Sequence, residues 1–181
     1  MKRRSVLFAI FLVAGSLAQS QEDLDLEELK KNTQVFEKIL TELLRQDFSN
    51  PFALTREPEG AYLRGFGVAV SFHLNINRSR IRTIFGELPS SNKEERPKQE
   101  QIRQIKESMI RCLADYGTTF KQLTSPNRIS ITGHVEDRNE MDPSKKVIIV
   151  VISASRADIN LLATQEISFD KFKERVSVVE Y

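Results

Sequence analysis

The chain contains almost no cysteine: Cys112 is the only one among its 181 residues. A single cysteine excludes an intramolecular disulfide, so the fold has to be held together by the packing of its core. Two common catalytic signatures are missing as well. No serine lies in a Gly-x-Ser-x-Gly context, and there is no glycine-rich phosphate-binding loop. The sequence therefore gives no support for a nucleophile-elbow hydrolase or a P-loop enzyme.

The start of the chain has the pattern of a cleavable export signal. Residues 2–4 are Lys-Arg-Arg, and residues 6–14 form an unbroken apolar run. That run is too short to cross a bilayer, which takes about 20 residues. The Ser-Leu-Ala sequence before Gln19 places small residues where a signal peptidase reads them. We therefore predict a signal peptide over residues 1–18, with an uncleaved N-terminal anchor as the alternative.

Cleavage at this point changes the charge of the protein. The whole chain carries 27 Lys and Arg against 25 Asp and Glu, a net charge of +2. The predicted signal holds three of the basic residues and no acidic residue, so 24 basic residues remain against 25 and the net charge becomes −1. The basic character therefore does not indicate nucleic acid or an anionic membrane as a partner. With no second long apolar run, we expect a periplasmic or secreted protein without a stable membrane anchor.

We assign residues 19–50 to a short leader and an N-terminal amphipathic helix. Apolar side chains recur there at spacings of three and four, which is the period of a helix with one buried side. They are Phe36, Ile39, Leu40, Leu43 and Leu44. Ser49-Asn50-Pro51 ends the pattern. This apolar stripe needs a partner, either the domain that follows or a second copy of the same helix.

Residues 51–181 are predicted to form a single α+β domain, with a mostly antiparallel sheet backed by helices. The expected elements are a turn at 57–60, a strand at 62–76, a mobile loop near 88–98, a helix at 102–116, strands at 129–135 and 146–154 joined by a loop at 137–145, helices near 156–163 and 169–175, and an edge strand at 176–179. The order β-α-β-β-α-β is that of the ferredoxin-like split βαβ arrangement. That topology would place the first two of these strands parallel, with a gap between them.

Residues 64–72 resemble the RNP1 signature of RNA-recognition motifs, in which strand aromatics stack on bases. Two positions depart from the signature. Val68 stands where an aromatic is expected, and Phe72 falls on the opposite face of a regular strand. We therefore expect no nucleic-acid binding, and we interpret Gly65 and Gly67 as a bulge or a close approach of two backbones.

The two histidines, His73 and His134, both occupy the polar phase of predicted strands. If the strands face the same side, the two rings approach each other, with Glu136 or Asn75 nearby. Two imidazoles and a carboxylate would form half of a zinc or iron site. No tight histidine spacing supports a metal, and solvent-facing strand histidines are the reading that we favour. We predict no catalytic residue and no cofactor.

Cys112 follows Ile105 and Met109 on the apolar side of the second predicted helix. A buried cysteine behaves as a small hydrophobic residue, whereas a reactive one needs an exposed, electropositive setting. We therefore expect Cys112 to pack in the core, with a disulfide between two chains or a nucleophilic role as the alternatives.

The segment Tyr62-Leu63-Arg64-Gly65-Phe66-Gly67-Val68 resembles the Tyr-Leu-x-Gly-x-Gly-Val strand of small secreted bacterial proteins of uncharacterised function. Residues 113–117 and 167–172 are similar to theirs too. The resemblance implies an exported protein, and it carries no activity, cofactor or catalytic residue.

Two functions of different class remain open at this point. The first is a non-enzymatic binding or structural module of the cell envelope or extracellular space, whose partner is an envelope or secreted protein. The N-terminal helix and the arginines of residues 78–82 are candidate contacts for that partner. The second is a small metal-dependent hydrolase that uses His73 and His134. Because no catalytic set is clustered in the sequence, we favour the first.

Overall fold

The computed structural model describes residues 24–47, 54–76, 80–83, 86–89, 98–139 and 142–181. The predicted signal peptide, the start of the leader and most of the loop expected near 88–98 lie outside these residues. The elements, in chain order, are α1 (Leu26–Asp47), β1 (Leu54–Leu63), β2 (Gly67–Asn75), β3 (Arg80–Thr83), β4 (Gly86–Pro89), α2 (Lys98–Tyr116), a 3₁₀ turn (Gly117–Thr119), β5 (Arg128–Asn139), β6 (Asp142–Ser155), α3 (Arg156–Ala163), α4 (Phe169–Arg175) and β7 (Ser177–Glu180). No helix in the described part is both long and apolar enough to cross a membrane.

Five strands form one sheet in the order β1-β2-β5-β6-β7. The β2–β5 pair is parallel, and the other three pairs are antiparallel. The described helices contact one another, and α2 also packs on β5 and β6, so they form one layer against the sheet. The α+β class, with a mostly antiparallel sheet backed by helices, is therefore confirmed.

The ferredoxin-like strand order is wrong. That arrangement leaves a gap between the two parallel strands, whereas β2 and β5 are direct neighbours from Gly67↔Arg128 to Asn75↔Glu136. The backbones are close at the start of this pair, where the Arg128 amide donates to the Phe66 carbonyl oxygen at 2.7 Å. The hairpin partner β6 then pairs on the far side of β5, because the near side is already taken by β2.

The strand expected over residues 62–76 is in fact the end of one strand, a turn and a second strand. Residues 64–66 turn the chain, and Gly65 and Gly67 have φ angles of 80° and 128°. These are left-handed backbone conformations, which glycine adopts at little cost. The two glycines therefore close a hairpin between β1 and β2, and Gly67 also provides the expected close backbone approach.

The turn expected at residues 57–60 is also wrong, because β1 runs straight through it. Its register with β2 shifts between Leu54 and Arg56, and again between Arg56 and Glu59. Pro58 has no amide hydrogen to donate, which an edge strand tolerates and a central strand does not. The turn-like composition of this segment therefore marks an irregular sheet edge.

The hairpin between β5 and β6 is tighter than expected. Most of the loop predicted at 137–145 belongs to the two strands, which pair as far as Asn139↔Asp142. A separate two-stranded hairpin, β3–β4, was not predicted and pairs from Arg80↔Pro89 to Thr83↔Gly86. The predicted edge strand at the end of the chain is confirmed as β7, which pairs with Val150–Ser153 of β6.

The apolar stripe of α1 is buried against the domain that follows it. Phe36 and Leu40 are fully buried, and the Phe36 ring lies 5.3 Å from the Phe120 ring. The polar Asn32 side chain donates to Gln122 at 3.2 Å. Of the two partners considered for this stripe, the chain's own domain is therefore the one that covers it.

Candidate functional site

The sheet is covered by helices on one face and carries polar and half-buried side chains on the other. Along β2, Val68, Val70, Phe72 and Leu74 are at most 1% exposed, while the residues between them are mainly half-buried. This alternation is expected when one face packs on a helical layer. We call the other side the open face, and define it by Ser71 and His73 of β2, Thr132 and His134 of β5, and Ile149 and Val151 of β6.

Strand register aligns these side chains in rows across the open face. In one row Arg56 of β1 lies beside His73, His73 beside His134, and His134 beside Ile149. The backbone of Tyr181 pairs with Ile149 and completes the row. The strand pairing therefore brings together a guanidinium, two imidazoles, an alkyl side chain and a phenol that are far apart in the sequence.

His73 and His134 stack on each other at the centre of this row. Their ring centroids are 4.3 Å apart and the ring planes differ by 10°. Partial burial lowers the pKa of His73 below its ordinary value of 6.5, and the neighbouring His134 and Arg56 lower it further, while Glu136 acts in the opposite direction. The expectation that the two rings approach each other is confirmed, and the neutral form of His73 is favoured.

The stacked arrangement does not suit a metal ion held by both rings. A histidine binds a metal through a lone pair in its ring plane, at about 2.0–2.1 Å for zinc. In two parallel rings these lone pairs point in nearly parallel directions and do not converge on one ion. Among the described residues, no cluster of three or more His, Cys, Asp and Glu side chains could hold a metal either.

The β6–β7 side of the open face carries apolar side chains. We call this set the apolar strip, and it consists of Ile149, Val151, Val179 and Tyr181. Val179 is 40% exposed and Tyr181 is 75% exposed. The sequence does not reveal this strip, because an unbroken apolar run such as Val147–Ile152 is typical of a strand that is buried on both faces. Residues 177–180 read Ser-Val-Val-Glu, and this order has no alternation that would show which valine faces away from the helices.

A groove between α1 and β1 is a second candidate that the sequence did not reveal. It has a volume of about 230 Å³ and is lined by the first turns of α1, from Leu26 to Glu37, and by Gly60 and Tyr62. The Glu37 carboxylate accepts a hydrogen bond from the Gly60 amide at 2.6 Å. Desolvation raises the pKa of Glu37, and nearby Glu59 adds to that rise, while the bond from Gly60 opposes it. The groove is small and its carboxylate already has a structural partner.

Cys112 lies in the core, as expected. Its side chain is fully buried and unpaired. Burial raises the pKa of the thiol far above its ordinary range, and Asp115 contributes in the same direction. A thiol that remains protonated and inaccessible is a packing residue, because the thiolate is the reactive form.

The RNP1-like segment does not form the surface that its pattern would require. Residues 64–66 lie in the β1–β2 turn, and Phe72 is fully buried under the helices. A buried aromatic ring cannot stack on a base. The similarity is therefore explained by the hairpin, where Gly65 and Gly67 are needed for the backbone.

No protein family model, curated protein or solved structure matches this chain. A functional assignment therefore rests on the geometry of the open face.

Proposed function

We propose that this protein is an exported, non-enzymatic binding module that holds a protein partner on the open face of its sheet. The observation that carries the proposal is the apolar strip lying beside the stacked His73 and His134 on a face that no described helix covers. The predicted signal over residues 1–18 supports a site of action in the envelope or outside the cell.

The composition of the open face favours a protein as the partner. Apolar side chains with 40% and 75% exposure at Val179 and Tyr181 would leave water on binding, which is the main driving force of protein association. Arg56, His73 and His134, which we call the histidine row, lie beside the apolar strip. They supply polar groups, as the rim of a protein interface does. A partner that fits would present an apolar strip flanked by hydrogen-bonding groups.

The charges near this face argue against nucleic acid. Among its described side chains, Arg56 and Arg128 are offset by Glu59 and Glu136. The Arg128 guanidinium is already engaged, because its Nε donates to the Ser153 hydroxyl at 2.9 Å. Binding to phosphates relies on an excess of Lys and Arg, which the described side chains of this face do not offer.

Two adjacent residues of β7 allow a face-specific test. Val178 pairs with the buried Ile152 and so lies on the helix side, whereas Val179 pairs with Val151 on the open face. Their exposures are similar, at 45% and 40%. Val179→Lys and Val178→Lys therefore make the same change in the same strand but on opposite faces.

The test is affinity capture from the exported protein fraction with the mature chain and the two variants. We expect a specific partner with the unmodified chain, binding at least about tenfold weaker with Val179→Lys, since about 1.4 kcal/mol suffices for that change. Val178→Lys and a third variant at an exposed helical valine, Val35→Lys, should retain binding. Equal binding by all three variants, or no specific partner for the unmodified chain, would refute the proposal.

A further inference from the structure

The histidine row contains all of the histidine in this chain. His73 and His134 are its only two histidines, and they stack with ring centroids 4.3 Å apart. Histidine is the side chain whose ordinary charge change falls between pH 5 and 8. Any histidine-dependent pH response of the folded protein therefore arises at this one point on the open face.

The surroundings of the stack disfavour two positive charges. On the β1 side Arg56 adds a positive charge beside His73, and on β5 Glu136 is the opposing acidic group. On the β6 side the register neighbour of His134 is the uncharged Ile149. The ring separation is also shorter than the screening length in physiological salt, about 8 Å, so salt does not remove the repulsion between two protonated rings.

We propose that the His73–His134 stack is an acid-sensitive element that keeps the open face neutral near pH 7 and releases the partner when the rings take up protons. Protonation would place up to two positive charges beside Arg56, next to the apolar strip. A partner that covers the stack excludes water from it, so it binds the neutral form. The release half of this inference rests on the proposed function, whereas the titration of the stack does not.

The titration is tested on the intact mature chain by following the two imidazole signals by NMR from pH 8 to pH 4.5. We expect His73 to titrate below 6.5, which agrees with the direction in which burial, His134 and Arg56 move its pKa. His134→Phe keeps an aromatic neighbour but removes the second charge, and should move the pKa of His73 upward. Titration of His73 at or above 6.5, or no response to His134→Phe, would overturn the proposal.

Two further variants must act in opposite directions if the stack responds to its neighbours. Arg56→Gln removes a positive charge and should raise the pKa of His73, whereas Glu136→Gln removes the opposing carboxylate and should lower it. Both positions lie on the sheet surface and neither is part of the hydrophobic core. Shifts of the same sign in both variants would contradict the arrangement described.

Release is tested by measuring partner binding at pH 7.5 and at one pH unit below the measured pKa of His73. At that lower pH the neutral fraction is about one in eleven, so binding should weaken about tenfold. The same comparison between the two pH values should give a ratio close to one in a double variant, His73→Phe with His134→Phe, in which neither ring of the stack can take up a proton. An equal ratio in both proteins would overturn the release step. If His73 titrates below 6.5 as expected but no partner is captured, the proposed function is refuted and the acid-sensitive stack still stands.

Discussion

Gly67 lies so close to Arg128 that a Cβ on residue 67 would be 2.0 Å from the Arg128 carbonyl oxygen. The neighbouring atom belongs to the backbone of a paired strand, so it cannot rotate away. The same glycine has a φ of 128°, which other residues rarely adopt. This contact lies at the start of the parallel β2–β5 pair on which the sheet order depends.

We predict that Gly67→Ala lowers the free energy of unfolding by about 3 kcal/mol or more, because strain and overlap act together. Gly65→Ala is the matched control. It also has a positive φ, but a Cβ there would meet nothing within 4 Å, so we expect a loss of about 1 kcal/mol. Urea unfolding monitored by circular dichroism measures both. Similar losses in the two variants would contradict the close approach at Gly67.

Glu37→Gln should make the protein more stable relative to the parent as the pH rises above 4.5. The pKa of Glu37 is raised in the folded state, so folding favours the protonated carboxyl, and ionisation weakens the fold as pH increases through the window above 4.5. Glutamine retains an oxygen for the Gly60 amide but cannot ionise. Glu37→Ala loses that acceptor and should cost roughly 1–2 kcal/mol. Urea unfolding at pH 4.5 and pH 7 compares the three proteins, and an identical pH dependence for Glu37→Gln and the parent would contradict this prediction.

Cys112 should react with iodoacetamide only when the protein unfolds. The thiol is fully buried and its pKa is raised, so both access and the thiolate form are lacking in the native state. Mass spectrometry of samples labelled in native buffer and in denaturant gives the result. Complete labelling in native buffer, at a rate similar to that in denaturant, would show that the helix does not shield the thiol.

Adding zinc or a chelator at pH 7.5 should leave the midpoint temperature of thermal unfolding unchanged. Stacked imidazoles cannot both direct a ring lone pair at one ion, so metal gains no pair of ligands from them. Thermal unfolding with and without equimolar zinc, together with metal analysis of the purified protein, tests this. One bound zinc per chain that is lost in both His73→Asn and His134→Asn would restore the metal site as a hypothesis.

We predict that the chain is exported and that its mature form begins at Gln19. N-terminal sequencing of material from the envelope and the medium identifies the cleavage point directly. Ala18→Phe places a bulky residue where the peptidase needs a small one, and should leave the precursor uncleaved. A mature protein that still starts at Met1 would favour the alternative of an N-terminal anchor.

The α+β class and the helices followed from the sequence, because periodic apolar stripes depend mainly on local pattern. Phe36 and Leu40 of α1 show this, because both belong to the predicted stripe and both are fully buried. The sheet order did not follow. A βαβ unit with a gap between its parallel strands and one in which those strands are direct neighbours bury the same alternate residues. Only a contact between the two strands, such as that of Gly67 with Arg128, distinguishes the two arrangements.

The sequence predicted that the two histidines approach each other, but it did not predict the rest of the candidate site. The polar phase of two strands placed His73 and His134 on comparable faces, and their approach was expected. Their stacking, and the position of Arg56 beside His73, depend on the strand register. The sequence does not determine that register, because the lengths of the turns between the strands are not known from it. Likewise, the position of Val179 on the open face follows only from its pairing with Val151, which the sequence does not give.

The irregular β1 edge has a consequence for self-assembly. Pro58 offers no amide hydrogen, the register shifts twice, and Glu37 occupies the Gly60 amide. A strand from another molecule finds few free donors there, so sheet extension and fibre growth are disfavoured at this end. The opposite end is β7, with Val178 and Val179 exposed. Of the two ends of the described sheet, β7 is the one whose register has no shift, so a pairing strand from a second molecule would be directed to that end.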